Sequence, residues 1–293
     1  MYGMISIIIC SRHESIDSGL KENIENTIGV EFELIIINNS QNKYSIFEAY
    51  NLGIKQSKGK YLCFVHDDIF IHTYDWGKII QSIFEENSKI GLIGVAGAQV
   101  KTKMPSAWWN CPDDQKIISI IQHDKGKIEK LNYGFDVHSV NKDVAVIDGV
   151  FMVARRDEKI FFNTKLKGFH NYDLNISLEY ITNNYNVVVT SQILIEHFSI
   201  GTLNKDWVQS TLEIHDIYKK KLPVITNGLM TGERLRILEF SNGSEFINKY
   251  LNLARRKSIS IWFRLIFLNP SSSFHYKFLK KIIKLVLRKQ PAL

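Results

Sequence analysis

The chain reads as an α/β protein: a mostly parallel, Rossmann-like sheet with flanking helices, followed by a C-terminal basic helical segment. Three observations predict it. Apolar runs at Ile5 to Cys10, Glu33 to Ile37 and Tyr61 to Val65 lack polar alternation, as strands covered on both faces require. Polar, helix-compatible stretches separate these runs, as crossovers between parallel strands require. Residues 255–293 hold ten Lys or Arg and no Asp or Glu, interleaved with Ile, Leu, Phe and Trp, the composition of a basic amphipathic segment.

The elements follow in order. The first run is a strand, and a helix around Gly19 to Ile28 returns the chain to the second strand, Glu33 to Ile37. A helix from about Ile46 to Ser57 leads through Lys58-Gly59-Lys60 into the third strand, which stops at His66-Asp67-Asp68. A helix near Trp76 to Glu86 and a strand from Ile90 to Ala96 come next. The stretch through Met104-Pro105 and Trp108-Trp109 to Pro112-Asp113-Asp114 is irregular and long enough to be a functional loop. Val144 to Ala154 is a strand interrupted at Asp148-Gly149, and a helix begins near Asp173 and runs past Glu179. Strands at Asn186 to Thr190 and Ile193 to His197 close the first unit. A linker near Pro223 to Gly232 is expected to divide a domain at 1–225 from the helical segment at 226–293.

Composition narrows the class. A chain of 293 residues, 45% hydrophobic and 23% charged, excludes disordered and fibrous proteins. The opening MYGMISIIIC has no basic start and no small-residue cleavage site, so it reads as a strand and not as a secretion signal. Cys10, Cys63 and Cys111 form no CxxC pair, which argues against a disulfide framework and a structural zinc site and for a reducing, cytoplasmic setting. Subtracting the ten terminal cations from the net charge of +7 leaves −3 elsewhere. The basicity belongs to one apolar-rich segment, which favours an anionic membrane surface over nucleic acid.

Ligands of open parallel sheets bind beyond the carboxyl ends of the strands. Those positions are Ser11-Arg12, Asn38-Asn39-Ser40 and His66-Asp67-Asp68. Adjacent carboxylates repel unless neutralised, and a hard divalent cation does this while bridging phosphate oxygens. A helix N-cap or a turn uses the same residues. The amides of Asn38 and Asn39 can accept from a nucleobase N–H, or brace an Asx-type turn.

Asn51-Leu-Gly53 followed by Gly59-Lys-Tyr-Leu-Cys-Phe-Val-His-Asp-Asp-Ile69 resembles the core signature of family 2 glycosyltransferases of the GT-A fold. Within that superfamily it looks closest to the branch related to a streptomycin-biosynthesis glycosyltransferase, where His opens the triplet. The resemblance extends over about residues 4–205 and implies a nucleotide-sugar donor, Mn²⁺ or Mg²⁺, and transfer to a hydroxyl of a glycan or lipid-linked acceptor. It gives Asp68 the metal-diphosphate role and places His66 and Asp67, with Ser11, Arg12, Asn38 and Asn39, around the nucleotide. Val146 to Arg155 resembles the strand whose Asp/Gly pair, here Asp148 and Gly149, lies near donor and acceptor sugars; a strand with a glycine bulge reads the same way. Gly168 to Asn175 resembles the acidic motif that opens a helix, with Asp173 on the catalytic-base position; a helix N-cap is the alternative. Tyr172 and Asn175 stand where that motif usually has acids. Glu196-His-Phe-Ser-Ile-Gly201 resembles the closing motif, in which His197 completes the metal shell; a buried structural His is the other reading. A sugar nucleotidyltransferase would need a glycine-rich basic loop after the first strand, which Ser11 to Ser18 does not provide. A catalytically degenerate, membrane-attached binding protein is the rival from another class.

Trp108 and Trp109 are candidates for the acceptor platform, with Asp148 and the Asp113-Asp114 pair beside them, since sugar faces stack on indoles; core packing of one tryptophan competes. In the tail, Lys277, Lys281, Lys284 and Arg288 share one helical face while Phe278, Ile282 and Leu285 with Leu279, Ile283 and Val286 line another. This suits lying on an anionic membrane, on the inner face of the cell membrane. The competing reading docks that apolar face on the catalytic domain or on a second copy in a homo-oligomer.

Overall fold

The computed structural model describes residues 3–136 and 139–287. The chain runs β1 (Ile5–Ser11), α1 (Ser18–Thr27), β2 (Phe32–Asn38), α2 (Ile46–Gln56), β3 (Tyr61–Val65), β4 (Ile69–Ile71), α3 (Trp76–Glu86), β5 (Ile90–Gly94), β6 (Ala96–Ala98) and β7 (Val100–Lys101). It continues through β8 (Lys116–Asp124), β9 (Lys127–Tyr133), β10 (Asn141–Asp143), β11 (Val146–Ile147), β12 (Phe151–Arg155), α4 (Tyr172–Thr182), β13 (Asn186–Thr190) and β14 (Ile195–His197). The remaining elements are α5 (Lys205–Ile217), β15 (Val224–Ile225), α6 (Gly232–Tyr250), α7 (Arg255–Leu268) and α8 (Phe274–Leu287).

A seven-stranded sheet in the order β10-β13-β5-β12-β3-β1-β2 is the frame. The pairs β1/β2, β1/β3 and β5/β13 are parallel, while β12 runs antiparallel between β3 and β5. Successive side chains of β1 face opposite ways: Ile8 enters the core under α2 and α4, and Ile5, Ile7 and Ile9 enter the core under α1 and α3. That double burial is why the strand reads as an unbroken apolar run. The local stops are equally physical. Asp17 caps α1 by accepting from the N–H groups of Gly19 and Leu20, and Ser45 with Glu48 forms a reciprocal capping box on α2. Asn51 exchanges two hydrogen bonds with the backbone of Phe162, and a Cβ on Gly53 would lie 2.3 Å from Ile8 Cγ2. The Asn-Leu-Gly motif thus seats α2 against β1.

A second sheet, β11-β6-β8-β14-β4 with β9 paired to β8, crosses the open end of the first. The β8–β9 hairpin and α5 lie outside the elements expected from sequence. The expected strand at Ile90 to Ala96 divides into β5 and the start of β6, and the Val144 to Ala154 strand divides at Asp148-Gly149 into β11 and β12. The stretch expected as a linker begins as β15, antiparallel to β7.

The C-terminal helices share a core with the upstream chain: Phe246, Ile247, Tyr250, Ile261, Leu265 and Phe278 enclose Met104, Ala107 and Trp207. The single apolar face expected for the tail is split. Phe278, Ile282 and Leu285 pack inward, while Leu279 and Ile283 are exposed. Lys281, expected on the basic face, donates to the carbonyl and side-chain oxygens of Asn248 on α6. Arg288 lies outside the described residues. No described helix is long and apolar enough to cross a membrane, and all three cysteines are free.

Candidate active site

The strand order β3-β1-β2 sets three carboxyl ends side by side, bringing Ser11-Arg12, Asn38-Asn39 and His66-Asp67-Asp68 to one edge. After the fully buried β3, the N–H of His66 bonds to the Val150 carbonyl, which ties the triplet to the Asp148-Gly149 turn. β14 then pairs antiparallel with β4, aligning His197 with Ile69, one residue beyond Asp68. This register, not chain proximity, brings His197 to the triplet.

The two carboxylates point apart, so their mutual repulsion is not what defines the site. Asp67 accepts a hydrogen bond of 2.9 Å from the buried hydroxyl of Ser11. Asp68 Oδ1 lies 3.5 Å from His197 Nε2 and 3.7 Å from His66 Nδ1, and those two nitrogens are 3.4 Å apart. Bonds of about 2.1 Å to one cation give ligand-to-ligand edges of roughly 3.0 Å in an octahedron and roughly 3.4 Å in a tetrahedron. The triad matches those edges after a small contraction.

The other ring nitrogens are already committed. His197 Nδ1 faces Gln122 Oε1 at 3.0 Å, and the Gln122 amide nitrogen donates to the Ser199 carbonyl at 2.7 Å, so the amide oxygen is the end left to accept from the ring. In the neutral ring the Nδ1 proton then leaves the Nε2 lone pair toward Asp68. His66 Nε2 lies 2.5 Å from the Tyr172 hydroxyl, leaving Nδ1 toward the same point. Burial, then the charge of His197, pushes the His66 pKa down and favours the neutral ring that binds metal. Burial raises the Asp68 pKa, but hydrogen bonds from His197 and Ser199 and the nearby imidazoles outweigh it and hold the carboxyl at about 2. His66, Asp68 and His197 form a group that fits a divalent cation. His66, expected beside the nucleotide, joins it.

Asp173 is the second residue of α4, whose N-cap is Asn171, so the N-cap alternative does not hold. Burial, reinforced by the Asp148 carboxylate, raises its pKa to about 7, despite an N–H donated by Leu174 at 2.7 Å. A cavity of about 420 Å³ lies in front of it, lined by Asp173, Asp148, Trp108, Trp109, His66 and His197. Trp108 Nε1 donates to Asp148 Oδ2 at 2.8 Å, and the ring packs partly on the core; Trp109 is 41% exposed and meets Trp108 edge-on. One tryptophan is an anchor and the other is open.

Three groups of expected site residues have partners within the chain. Asp113 and Asp114 do not line the cavity, because they pair with Lys116 and Arg234. Asn39 is buried with both amide ends on the backbone of Tyr44, and the Asn38 carbonyl accepts from the N–H and hydroxyl of Ser40. Both brace the turn after β2. Ser11 is likewise held by Asp67, while Arg12 stands exposed just past β1.

Gly149 has a steric reason to be glycine. A Cβ there would sit 2.3 Å from the Tyr172 hydroxyl and 2.5 Å from Cζ. Gly149→Ala is expected to displace the buried Tyr172 ring, unseat His66 and weaken Mn²⁺ affinity by roughly 10- to 100-fold, as loss of a ligand's supporting contact does. Mn²⁺ titration by calorimetry checks this, with Gly149→Ala/Tyr172→Phe expected to recover no affinity, because it removes the hydroxyl that holds His66 Nε2.

The tryptophan loop is held from a distance. Buried Glu239 on α6 accepts from the N–H groups of Lys103 at 2.6 Å and Met104 at 2.7 Å, and Asn242 donates to Thr102 Oγ1 and the Asn110 carbonyl, both at 3.0 Å. Lys101 is buried beneath the loop with its ammonium on the Ser106 carbonyl and hydroxyl, and burial pushes its pKa down to about 7. Helix α6 is therefore part of the scaffold of the tryptophan loop.

Residues 6–223 match the model of the Glycosyltransferase like family. No curated protein matches the sequence. Among solved structures, the chain is similar to S. aureus TarS 1-349 in complex with UDP-GlcNAc, at 12% identity and TM-score 0.52, over 90% of this chain and 81% of that one. It is also similar to the mannosyltransferase PcManGT from Pyrobaculum calidifontis in complex with GDP-Man and Mn²⁺, at 9% identity and TM-score 0.50, over 99% and 82%. Against GalNAc-T7 with UDP, GalNAc and Mn²⁺ the TM-score is 0.49 at 10% identity, and the matched region spans 84% of this chain but only 56% of that one. The first two likenesses establish the fold. With the family model covering most of the length, the chain belongs to the Glycosyltransferase like family.

Proposed function

We propose that the protein transfers a sugar from a UDP-sugar to a hydroxyl of a glycan or lipid-linked acceptor with inversion, with a divalent cation such as Mn²⁺, in surface glycan or polysaccharide synthesis on the cytoplasmic side. The observation that carries this reading is the convergence of His66, Asp68 and His197 beside a cavity holding Asp173. When bound, the cation offsets charge on the departing diphosphate. Asp173 takes the proton of the acceptor hydroxyl as its oxygen bonds to the anomeric carbon and the carbon–diphosphate bond breaks. Asp148 holds Trp108, and Trp109 offers an open indole face to a sugar. Two solved structures of similar fold carry UDP-GlcNAc and GDP-Man, which motivates a test across bases. The purified chain is incubated with UDP-, GDP- and dTDP-sugars, with and without Mn²⁺. Metal-dependent release of UDP is expected; release of GDP alone would reassign the base, and absence of release from every donor would leave a binding protein.

A further inference from the structure

We propose that the outer face of α8 is a docking surface for an anionic lipid bilayer. Tyr276, Leu279, Ile283 and Leu287 recur at three, four and four residues, and they are 63%, 43%, 48% and 62% exposed. That spacing makes one continuous apolar stripe along a helix. It is not surplus from an unpacked helix, because the opposite side is occupied: Phe278 is buried between Phe274 and Trp262, and Ile282 and Leu285 join the core of the bundle. A helix that has already buried one apolar face retains a second one toward solvent. On α7, which meets α8 through Trp262, Phe263 and Phe267 also face outward, away from the inward-packed Ile261 and Leu265.

Charge selects the occupant. Lys277, Lys280 and Lys284 flank the stripe, are exposed, and pair with no described carboxylate. Lys280 Nζ sits 4.3 Å from the centre of the Tyr276 ring, an amphipathic pair suited to a lipid headgroup region. Residues 255–293 carry ten cations and no anion. A second copy of the chain would bring the same lysines face to face, and a nucleic acid offers nothing to a row of Leu and Ile. An anionic bilayer satisfies both features: the aliphatic stripe sinks to the acyl boundary while the lysine ammonium groups reach the phosphates. Fourteen helical residues rise about 21 Å, short of the roughly 30 Å hydrocarbon core, so α8 lies on the membrane and does not span it. Through Lys281 on Asn248, and Glu239 and Asn242 on the 102–110 segment, the lipid-facing bundle is hydrogen-bonded to the loop that carries Trp108 and Trp109.

The test is co-sedimentation of the full chain with vesicles of phosphatidylcholine alone and of phosphatidylcholine mixed with phosphatidylglycerol, at low and high salt. Binding is expected only with phosphatidylglycerol, and it should weaken with salt. Lys280→Gln/Lys284→Gln is expected to lower partitioning about 25-fold, from roughly a factor of five per charge at such a surface. Leu279→Ser/Ile283→Ser is expected to lower it at least about tenfold. Both variants alter exposed side chains and should keep the wild-type thermal midpoint and donor turnover, which separates failure of docking from failure of the transferase reading. Equal binding by wild type and both variants would overturn the proposal. So would absence of vesicle binding alongside a dimer that the Leu279→Ser/Ile283→Ser variant dissolves.

Discussion

Asp68→Ala is expected to reduce metal-dependent turnover about 10²- to 10³-fold and to abolish the thermal stabilisation by UDP that requires Mn²⁺. The triad supplies one carboxylate, held ionised, and two imidazole nitrogens. Removing the carboxylate leaves two imidazoles, which hold a hard cation poorly against water. The turnover loss is the size seen when a preorganised group stabilising leaving-group charge is removed. Ligand-linked stabilisation grows with concentration over affinity, so its loss at fixed nucleotide reports the site without needing an acceptor. Asp67→Ala provides the contrast: its carboxylate is held by Ser11 and points away from the triad, so Mn²⁺ affinity should change less than about threefold, whatever it does to donor affinity.

The second large effect is that of Asp173→Asn, expected to lower kcat about 10²- to 10⁴-fold, the range for removal of a general base. The sign of the pH dependence follows from the raised pKa. A carboxyl near 7 is protonated, and so unable to accept a proton, below that value. The wild-type rate should therefore fall about tenfold per pH unit below roughly 7 and level off above it. In Asp173→Asn this limb should vanish, with donor affinity retained. A variant with near wild-type turnover and an unchanged acid limb would remove Asp173 from the base role.

The parts of the fold legible in the sequence were those whose signal is local. β1 and β3 are covered on both faces and read as unbroken apolar runs ending in polar residues, while β2, the edge strand, buries Ile35 and Ile37 and leaves Ile36 exposed. Their ends fall where the parallel register aligns them, so the position of the site followed. The β8–β9 hairpin left a smaller trace, the Lys125-Gly126 pair with positive φ between two alternating stretches, and the α5 start was marked by Asn204 capping Trp207. Ligand roles depended on distant partners. His66 turns to the metal group because Tyr172, 106 residues on, holds its other nitrogen. Gln122 reaches His197 across a strand pair formed at a separation of 75 residues. Glu239 and Asn242 steady the tryptophan loop from 132 to 140 residues away. The tail shows a different limit: a helical wheel finds apolar positions, but only tertiary packing decides that Phe278 turns inward while Leu279 turns out.

The most direct test of the account is pulsed electron paramagnetic resonance of Mn²⁺ bound to the chain with UDP, which detects nitrogen nuclei bonded to the metal. Modulation from two imidazole nitrogens is expected, reduced to one in His197→Ala and in His66→Ala. Bound Mn²⁺ without any nitrogen coupling, or coupling unchanged in both variants, would contradict the assignment of His66, Asp68 and His197 as the metal site.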